Sequence, residues 1–378
     1  MARFLLIAPA VVGLFAVVWL AGIRAGFLLL LGLGFGAALS ASRFGFTTGW
    51  RNLITHKDPW GMVGQLVLLA LCAIFSLWLI HQFGSEISGA VAPITWGLII
   101  GSLVFGFAMQ LADGCGSGTL YKAGASSPTS WVVLPAFIAG SFVGGSHQLA
   151  WESLGGPLVS LGLQDEASGI DLLQSNGLTG ALVITLLLCL LVGVASVGYA
   201  KRHANRHKIA LPSVPQRWLW GAVVIAVLYA AHLIVAGQPW GIVYGLGLWG
   251  AKFVSFLGAD LSHDTFWGVA PHADRILEPV LWDVTSVTNI GLLYGALVAS
   301  RWNQPTQKSI SWPEPSKLLI SVIAGLLMGY SSRMAYGCNV GAYLGGVASA
   351  SVHGWVWFVF AFIGSIAGVK ARQKAGIA

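Results

Sequence analysis

Phe105-Gly106-Phe107-Ala108-Met109-Gln110-Leu111-Ala112-Asp113-Gly114-Cys115-Gly116-Ser117-Gly118 and Met328-Gly329-Tyr330-Ser331-Ser332-Arg333-Met334-Ala335-Tyr336-Gly337-Cys338-Asn339-Val340-Gly341 are two copies of one short pattern. Aligned, Gly106 meets Gly329, Ala112 meets Ala335, the pairs Gly114-Cys115 and Gly337-Cys338 coincide, and Gly118 meets Gly341. Each copy closes a hydrophobic stretch long enough to cross a bilayer. A glycine-broken turn carrying one thiol thus occurs twice at membrane depth, the layout expected of a transport site.

The rest of the composition sets these turns in lipid. Of 378 residues, 56% are hydrophobic and only 9% charged, with a mean hydropathy of +0.78. A water-soluble domain could carry that only with a large exposed apolar surface. Apolar runs near the ~20 residues that span a bilayer occur at 4–22, 26–42, 60–80, 92–111, 130–147, 178–199, 217–236, 285–300, 317–335 and 352–369. All read as helices, because a spanning segment must satisfy its own backbone and the alternation of barrel strands is absent. Met1 to Gly22 is read as the first membrane segment, since its apolar run is long and Trp19-Leu20-Ala21 is a poor cleavage site. Cys72 and Cys189 lie inside apolar helices and read as small buried hydrophobes.

Charge is distributed as a membrane would sort it. The net charge of +7 therefore gives no reason to expect nucleic acid. Nine of the thirteen acidic residues fall in two loops: Glu152, Asp165, Glu166 and Asp171 in one, Asp260, Asp264, Asp274, Glu278 and Asp283 in the other. Lys201, Arg202, Arg206, Lys208 and Arg217 fill one connection, Arg301, Lys308 and Lys317 another, and Lys370, Arg372 and Lys374 the C-terminal segment. By the positive-inside bias these three are cytoplasmic, with the turn holding Arg51 and Lys57, and the acidic loops face outward. The span before Cys115 then runs inward and the span before Cys338 outward.

The expectation is an all-α, polytopic helical membrane protein with inverted-topology repeats and two re-entrant cysteine-bearing turns. Residues 1–200 form an N-terminal half with its turn at 113–118. Residues 201–217 form a basic cytoplasmic linker, and 218–378 an inverted half with its turn at 336–341. Residues 240–258 do not fit the parity as a full span and are expected to be a re-entrant hairpin or half-length helix, with a similar break within Gly32 to Gly49. About nine or ten full spans result.

The substrate-binding candidates are Cys115, Cys338, Gly114, Gly116, Gly118, Gly337, Asn339, Gly341 and Arg333. A thiol of ordinary pKa, near ~8.5, is protonated at neutral pH, donates a weak S–H hydrogen bond and presents a polarizable surface to soft sulfur. Broken helices add backbone N–H groups and positive dipole ends, which favour an anion. Arg333 either adds a charge to the site or snorkels to an edge. Asp113 either caps the following short helix, the preferred reading, or tunes the thiol. His263 and His272 read as solvated loop residues rather than metal ligands. No metal, cofactor or catalytic residue is expected.

At these motifs the chain resembles the YeeE/YedE family of sulfur-compound transporters. The matching stretches are Gly106 through Gly124, Met328 through Gly354 with Ser351-Val352-His353-Gly354-Trp355, and Gly34 to Asn52 with Ser42-Arg43-Phe44-Gly45-Phe46-Thr47-Thr48-Gly49-Trp50-Arg51. The resemblance implies thiosulfate uptake through an hourglass-shaped protein of the cell inner membrane. It also implies handover of sulfur to a cytoplasmic TusA-like sulfurtransferase. One departure is plain: where the family has an Arg-Phe-Cys element, this chain has Arg43-Phe44-Gly45. The residues by themselves reach a transporter of a soft anion, with a selenium species, sulfide or a polysulfide as alternative cargo. A membrane thiol-redox protein is the alternative of a different class.

Overall fold

The computed structural model describes residues 2–160, 169–302 and 312–377. In chain order the helices are α1 (Ala2–Ser42), α2 (Phe46–His56), α3 (Trp60–Gln82), α4 (Trp96–Leu111), α5 (Gly116–Gly124), α6 (Pro128–Ser146), α7 (Gln148–Glu152) and α8 (Pro157–Ser160). There follow α9 (Leu172–His207), α10 (Gln216–Ala236), α11 (Ile242–Phe256), α12 (His272–Leu277), α13 (Val284–Trp302), α14 (Pro315–Met334), a π-helical turn (Asn339–Leu344) running into α15 (Gly345–Ala348), and α16 (Val352–Lys374).

Among the described residues eight stretches are long and apolar enough to cross a membrane. The chain is a multi-pass helical membrane protein. The expected nine or ten spans differ from this number for two reasons. The runs 4–22 and 26–42 form one helix bent at Gly22, whose φ of 85° no other residue adopts easily. In addition, α13 carries Thr285, Ser286, Thr288 and Asn289 in its first turns, all buried, which lowers its apolarity. Residues 242–256 form a half-length helix, as the parity required. The basic linker is shorter than the sequence suggested, because α9 continues to His207 before Pro212 and Pro215 hold the chain out of helix until Gln216.

Long helices pack in three main pairs, α1 with α13, α6 with α14 and α4 with α16, and less extensively α4 with α14, α3 with α9, α3 with α10 and α1 with α10. Glycine makes the crossings close. A Cβ on Gly106 would lie 1.9 Å from the Ala361 carbonyl oxygen, and one on Gly364 2.0 Å from that of Leu103, so α4 and α16 meet backbone to backbone. The core runs through the centre of the bundle, with Trp50, Phe105, Phe137, Tyr343 and Trp357 fully buried. Apolar side chains also face outward, among them Phe15, Trp19, Leu190, Leu191 and Val194, the surface that lipid covers.

The two ends of the bundle differ in charge. At one end Trp60 Nε1 donates to Pro212 O, Lys57 lies over the Tyr199 ring, and Arg301 donates to Ser126 Oγ. At the other, Leu172 N donates to Ala350 O, Ser88 N to Gly237 O and Trp96 N to Gly155 O, near Glu152 and Asp171. The basic end is the one that the positive-inside bias expects in the cytoplasm. Asp165, Glu166 and Lys308, used in that argument, lie outside the described residues.

Candidate functional site

Three of the helix breaks share one backbone form. Arg43, Asp113 and Tyr336 take left-handed φ values of 52°, 59° and 57°, and two residues later Gly45, Cys115 and Cys338 are extended and start the next helix. Glycine was expected to make the breaks, yet the left-handed residue ahead of each cysteine is a non-glycine, a conformation that needs outside support. Only Gly337, at φ 145°, requires glycine for its own backbone, and there a Cβ would also lie 2.7 Å from Ala342 N.

The two cysteine turns meet in the core. A Cβ on Gly116 would stand 2.8 Å from Cys338 Sγ, so the sulfur of one turn rests against the backbone of the other. Cys115 Sγ lies 3.5 Å from Ser117 Oγ and 3.6 Å from the point where a Gly118 Cβ would be. Gly114 sits within 3.0 Å of Thr119 N by the same measure, whereas a Cβ on Gly341 would meet only Tyr336 O, at 3.9 Å. Both thiols are buried, at 1% and 0% exposure.

Polar groups are left over at this meeting point. Cys115 O accepts from Thr119 N and Cys338 O from Ala342 N, leaving the N–H groups of residues 116–118 and 339–341 as first-turn donors. Asn339 is fully buried, and neither its Nδ2 nor its Oδ1 has a partner. Thr119 Oγ1 is also buried and unpartnered. Burying such groups unpaired costs roughly 1–3 kcal/mol each, a cost a bound polar ligand would remove.

On the outer side, a cavity of about 260 Å³ opens toward the Cys338 turn, lined by Gln148, Tyr244, Phe266, Arg333, Gly337 and Gly341 among others. Arg333 does not snorkel. It is 9% exposed, its Nη2 donates to Gln148 Oε1 at 2.8 Å, its Nε has no partner, and its guanidinium lies 4.5 Å from the Phe266 ring. The solvated reading of His272 is overturned as well: its ring stacks on Phe266 at 4.0 Å and its Nδ1 bonds the Tyr244 hydroxyl at 3.0 Å. This packing, and the Arg333 and Arg275 cations, push the His272 pKa down to about 4.

On the inner side, the capping reading of Asp113 is also overturned. Its carboxylate does not cap α5, which begins at Cys115 with no side-chain cap. It is shared by three cations instead: Arg51 Nη2 at 2.7 Å, Lys122 Nζ at 2.7 Å and Arg372 Nη2 at 3.3 Å. Lys122 also donates to the Asp113 carbonyl. Among the described residues no three His, Cys, Asp or Glu side chains gather as a metal site would require.

A family model described as sulphur transport matches residues 41–367, a span containing all three breaks of shared form. The chain belongs to the sulphur-transport family. Thiosulfate transporter TsuA of Spirochaeta thermophila is 26% identical over 348 residues, 89% of this chain and 96% of that protein. Thiosulfate transporter TsuA of Escherichia coli is 23% identical over 370 residues, 93% and 96% respectively. Probable transporter YedE of Escherichia coli is 28% identical over 190 residues, 48% of this chain and 43% of that protein. Membership in a transport family decides against the thiol-redox reading.

Within this sulphur-transport chain, all the candidates named from sequence lie at the two turns, with Arg333 at the outer mouth. Sequence reasoning missed Gln148, Tyr244 and Phe266 around Arg333, and Arg51, Lys122 and Arg372 around Asp113. One signal was present for the latter group: a carboxylate in so apolar a chain needs cations beside it.

Proposed function

We propose that this protein takes up a small sulfur-containing anion, thiosulfate first, across the cell inner membrane. The anion enters the outer cavity at Arg333 and passes between the thiols of Cys338 and Cys115. One observation carries the reading: the sulfur of Cys338 rests against the backbone of the Cys115 turn, beside an asparagine whose amide has no partner. Protonated thiols, first-turn N–H groups and the Asn339 amide together offer donors to the oxygens and a soft surface to the sulfur of thiosulfate. Thiosulfate as cargo is supported by the two TsuA relatives, which align over most of their own length.

The two cysteine turns act as re-entrant elements of an inverted repeat, residues 1–200 against 218–378. This is supported by the helix pairs. Exchanging α1 with α10, α3 with α13, α4 with α14 and α6 with α16 turns the α4–α16 pair into the equally extensive α6–α14 pair, and α1–α13 into the less extensive α3–α10. The family resemblance supports delivery to a TusA-like sulfurtransferase, with the acceptor at the basic end.

The test is growth of a sulfur-auxotrophic host, lacking its own uptake systems, on thiosulfate, sulfide or a polysulfide as sole sulfur source. Growth on thiosulfate that requires this protein is the expected outcome. Growth on another compound alone overturns the cargo. In the same host, Arg333→Gln should raise the thiosulfate concentration for half-maximal uptake by about tenfold, the worth of one charge-assisted hydrogen bond.

A further inference from the structure

The Asp113 cluster has more positive charge than its carboxylate balances. Arg51 and Lys122 both pair with the one carboxylate of Asp113, an excess of one positive charge two residues from Cys115, and Arg372 reaches the same carboxylate at 3.3 Å. They come from three elements, α2, α5 and α16, and all are largely buried, with side-chain exposures of 19%, 21% and 5%. Gln110 completes the cradle, its Oε1 accepting from Arg51 Nε at 3.2 Å and its carbonyl from Arg372 Nη1 at 2.7 Å. Arg43 is the further cation facing Tyr121 on this side. The Asp113 backbone is left-handed, followed by Gly114, so the carboxylate is held at a strained position by its partners.

We propose that this cluster is an exit site for small oxyanions, occupied in the closed protein by Asp113 as an internal competitor. The carboxylate presents Oδ1 to Arg51 and Arg372 and Oδ2 to Lys122, the contacts that an oxygen face of a small dianion would make. An anion leaving Cys115 displaces Asp113 from the cations, and return of Asp113 releases it to the cytoplasm. No bond is made or broken. The proposal rests on the transport reading, since it requires the route to continue inward from Cys115.

The experiment measures thiosulfate uptake into proteoliposomes of defined orientation that already hold thiosulfate at the cytoplasmic face. Asp113→Asn leaves three cations without a competitor, so internal thiosulfate should inhibit at roughly tenfold lower concentration while maximal uptake falls. Arg372→Gln should weaken internal inhibition by a similar factor. The double variant, which loses one charge of each sign, should return near the wild type. Inhibition in the wild type should weaken as ionic strength rises. Calorimetry on purified protein reads the same site without transport, with thiosulfate or sulfate binding tightened by Asp113→Asn and weakened by Arg372→Gln. Inhibition constants equal within twofold across folded variants, with uptake intact, overturn the exit site and leave the transport reading standing. Where a variant does not fold, salt-independent internal inhibition of the wild type overturns the exit site equally. Absent thiosulfate uptake with the calorimetric pattern present overturns the cargo and keeps the site.

Discussion

The Cys115 and Cys338 turns have one backbone form and opposite supports. Ahead of Cys115 the strained residue is Asp113, pinned by three cations. Ahead of Cys338 it is Tyr336, whose hydroxyl lies 3.4 Å from Thr95 Oγ1 and whose ring meets His353 edge-on. One turn is held by charge at the basic end of the bundle, the other by aromatic packing at the acidic end. A repeated backbone device therefore fixes where the thiols go, while its two supports adapt to the compartments they face. The external pocket carries one buried cation among rings. The internal mouth carries three around a carboxylate.

Removing the thiols tests whether the turns are equivalent in function. Cys115→Ala and Cys338→Ala should each reduce thiosulfate uptake at least a hundredfold at wild-type protein levels, whereas Cys72→Ala and Cys189→Ala, both inside the apolar helices α3 and α9, should transport normally. Uptake assays with quantified membrane expression check this. Four equal responses would end the two-turn site.

The glycine before each cysteine gives the next effect. Gly337→Ala forces a side chain onto a φ of 145° with backbone 2.7 Å away, while Gly114 has an ordinary φ and its nearest contact at 3.0 Å. The expected cost is about 1–3 kcal/mol at Gly337 and less at Gly114. Thermal unfolding in detergent should rank them so, and the reverse order would deny the asymmetry between the turns.

Acid should act on the aromatic end. His272 is neutral in the folded protein, with its pKa at about 4 against an ordinary 6.5. The unfolded chain then binds the proton first on acidification, so stability is complete above about pH 6.5 and falls as pH drops toward 4. The melting temperature should decline across that window, and His272→Gln should flatten the decline. A decline of the same steepness in both would place the acid sensitivity elsewhere.

The smallest structural effect is expected at the third break. Gly45 is extended, and a Cβ there would meet only Thr48 and Tyr121 at 3.7 to 4.0 Å, so Gly45→Cys should leave the melting temperature unchanged. If thiols form a relay, the added S–H contributes roughly 0.5–1.5 kcal/mol, and thiosulfate uptake rises by up to about tenfold. Unchanged or reduced uptake would show that Thr48 and Tyr121 hydroxyls suffice beside the glycine.

Much of this was legible in the sequence. The apolar runs that became helices, a hairpin or half-length helix within 240–258 and the burial of Cys72 and Cys189 all follow from residue type and spacing, because lipid forces a spanning backbone to bond within its own segment. What remained hidden depends on partners distant in the chain. Asp113 looks like a helix cap until Arg51 and Arg372, brought by α2 and α16, reach its carboxylate. Arg333 reads equally as a site cation or an edge residue, and His272 as a solvated one, until Gln148, Tyr244 and Phe266 close around them. Hydropathy and local pattern encode which segments enter the membrane. Which charges and rings meet there is decided by helix packing, and a buried ionic group owes its state to neighbours that no local pattern specifies.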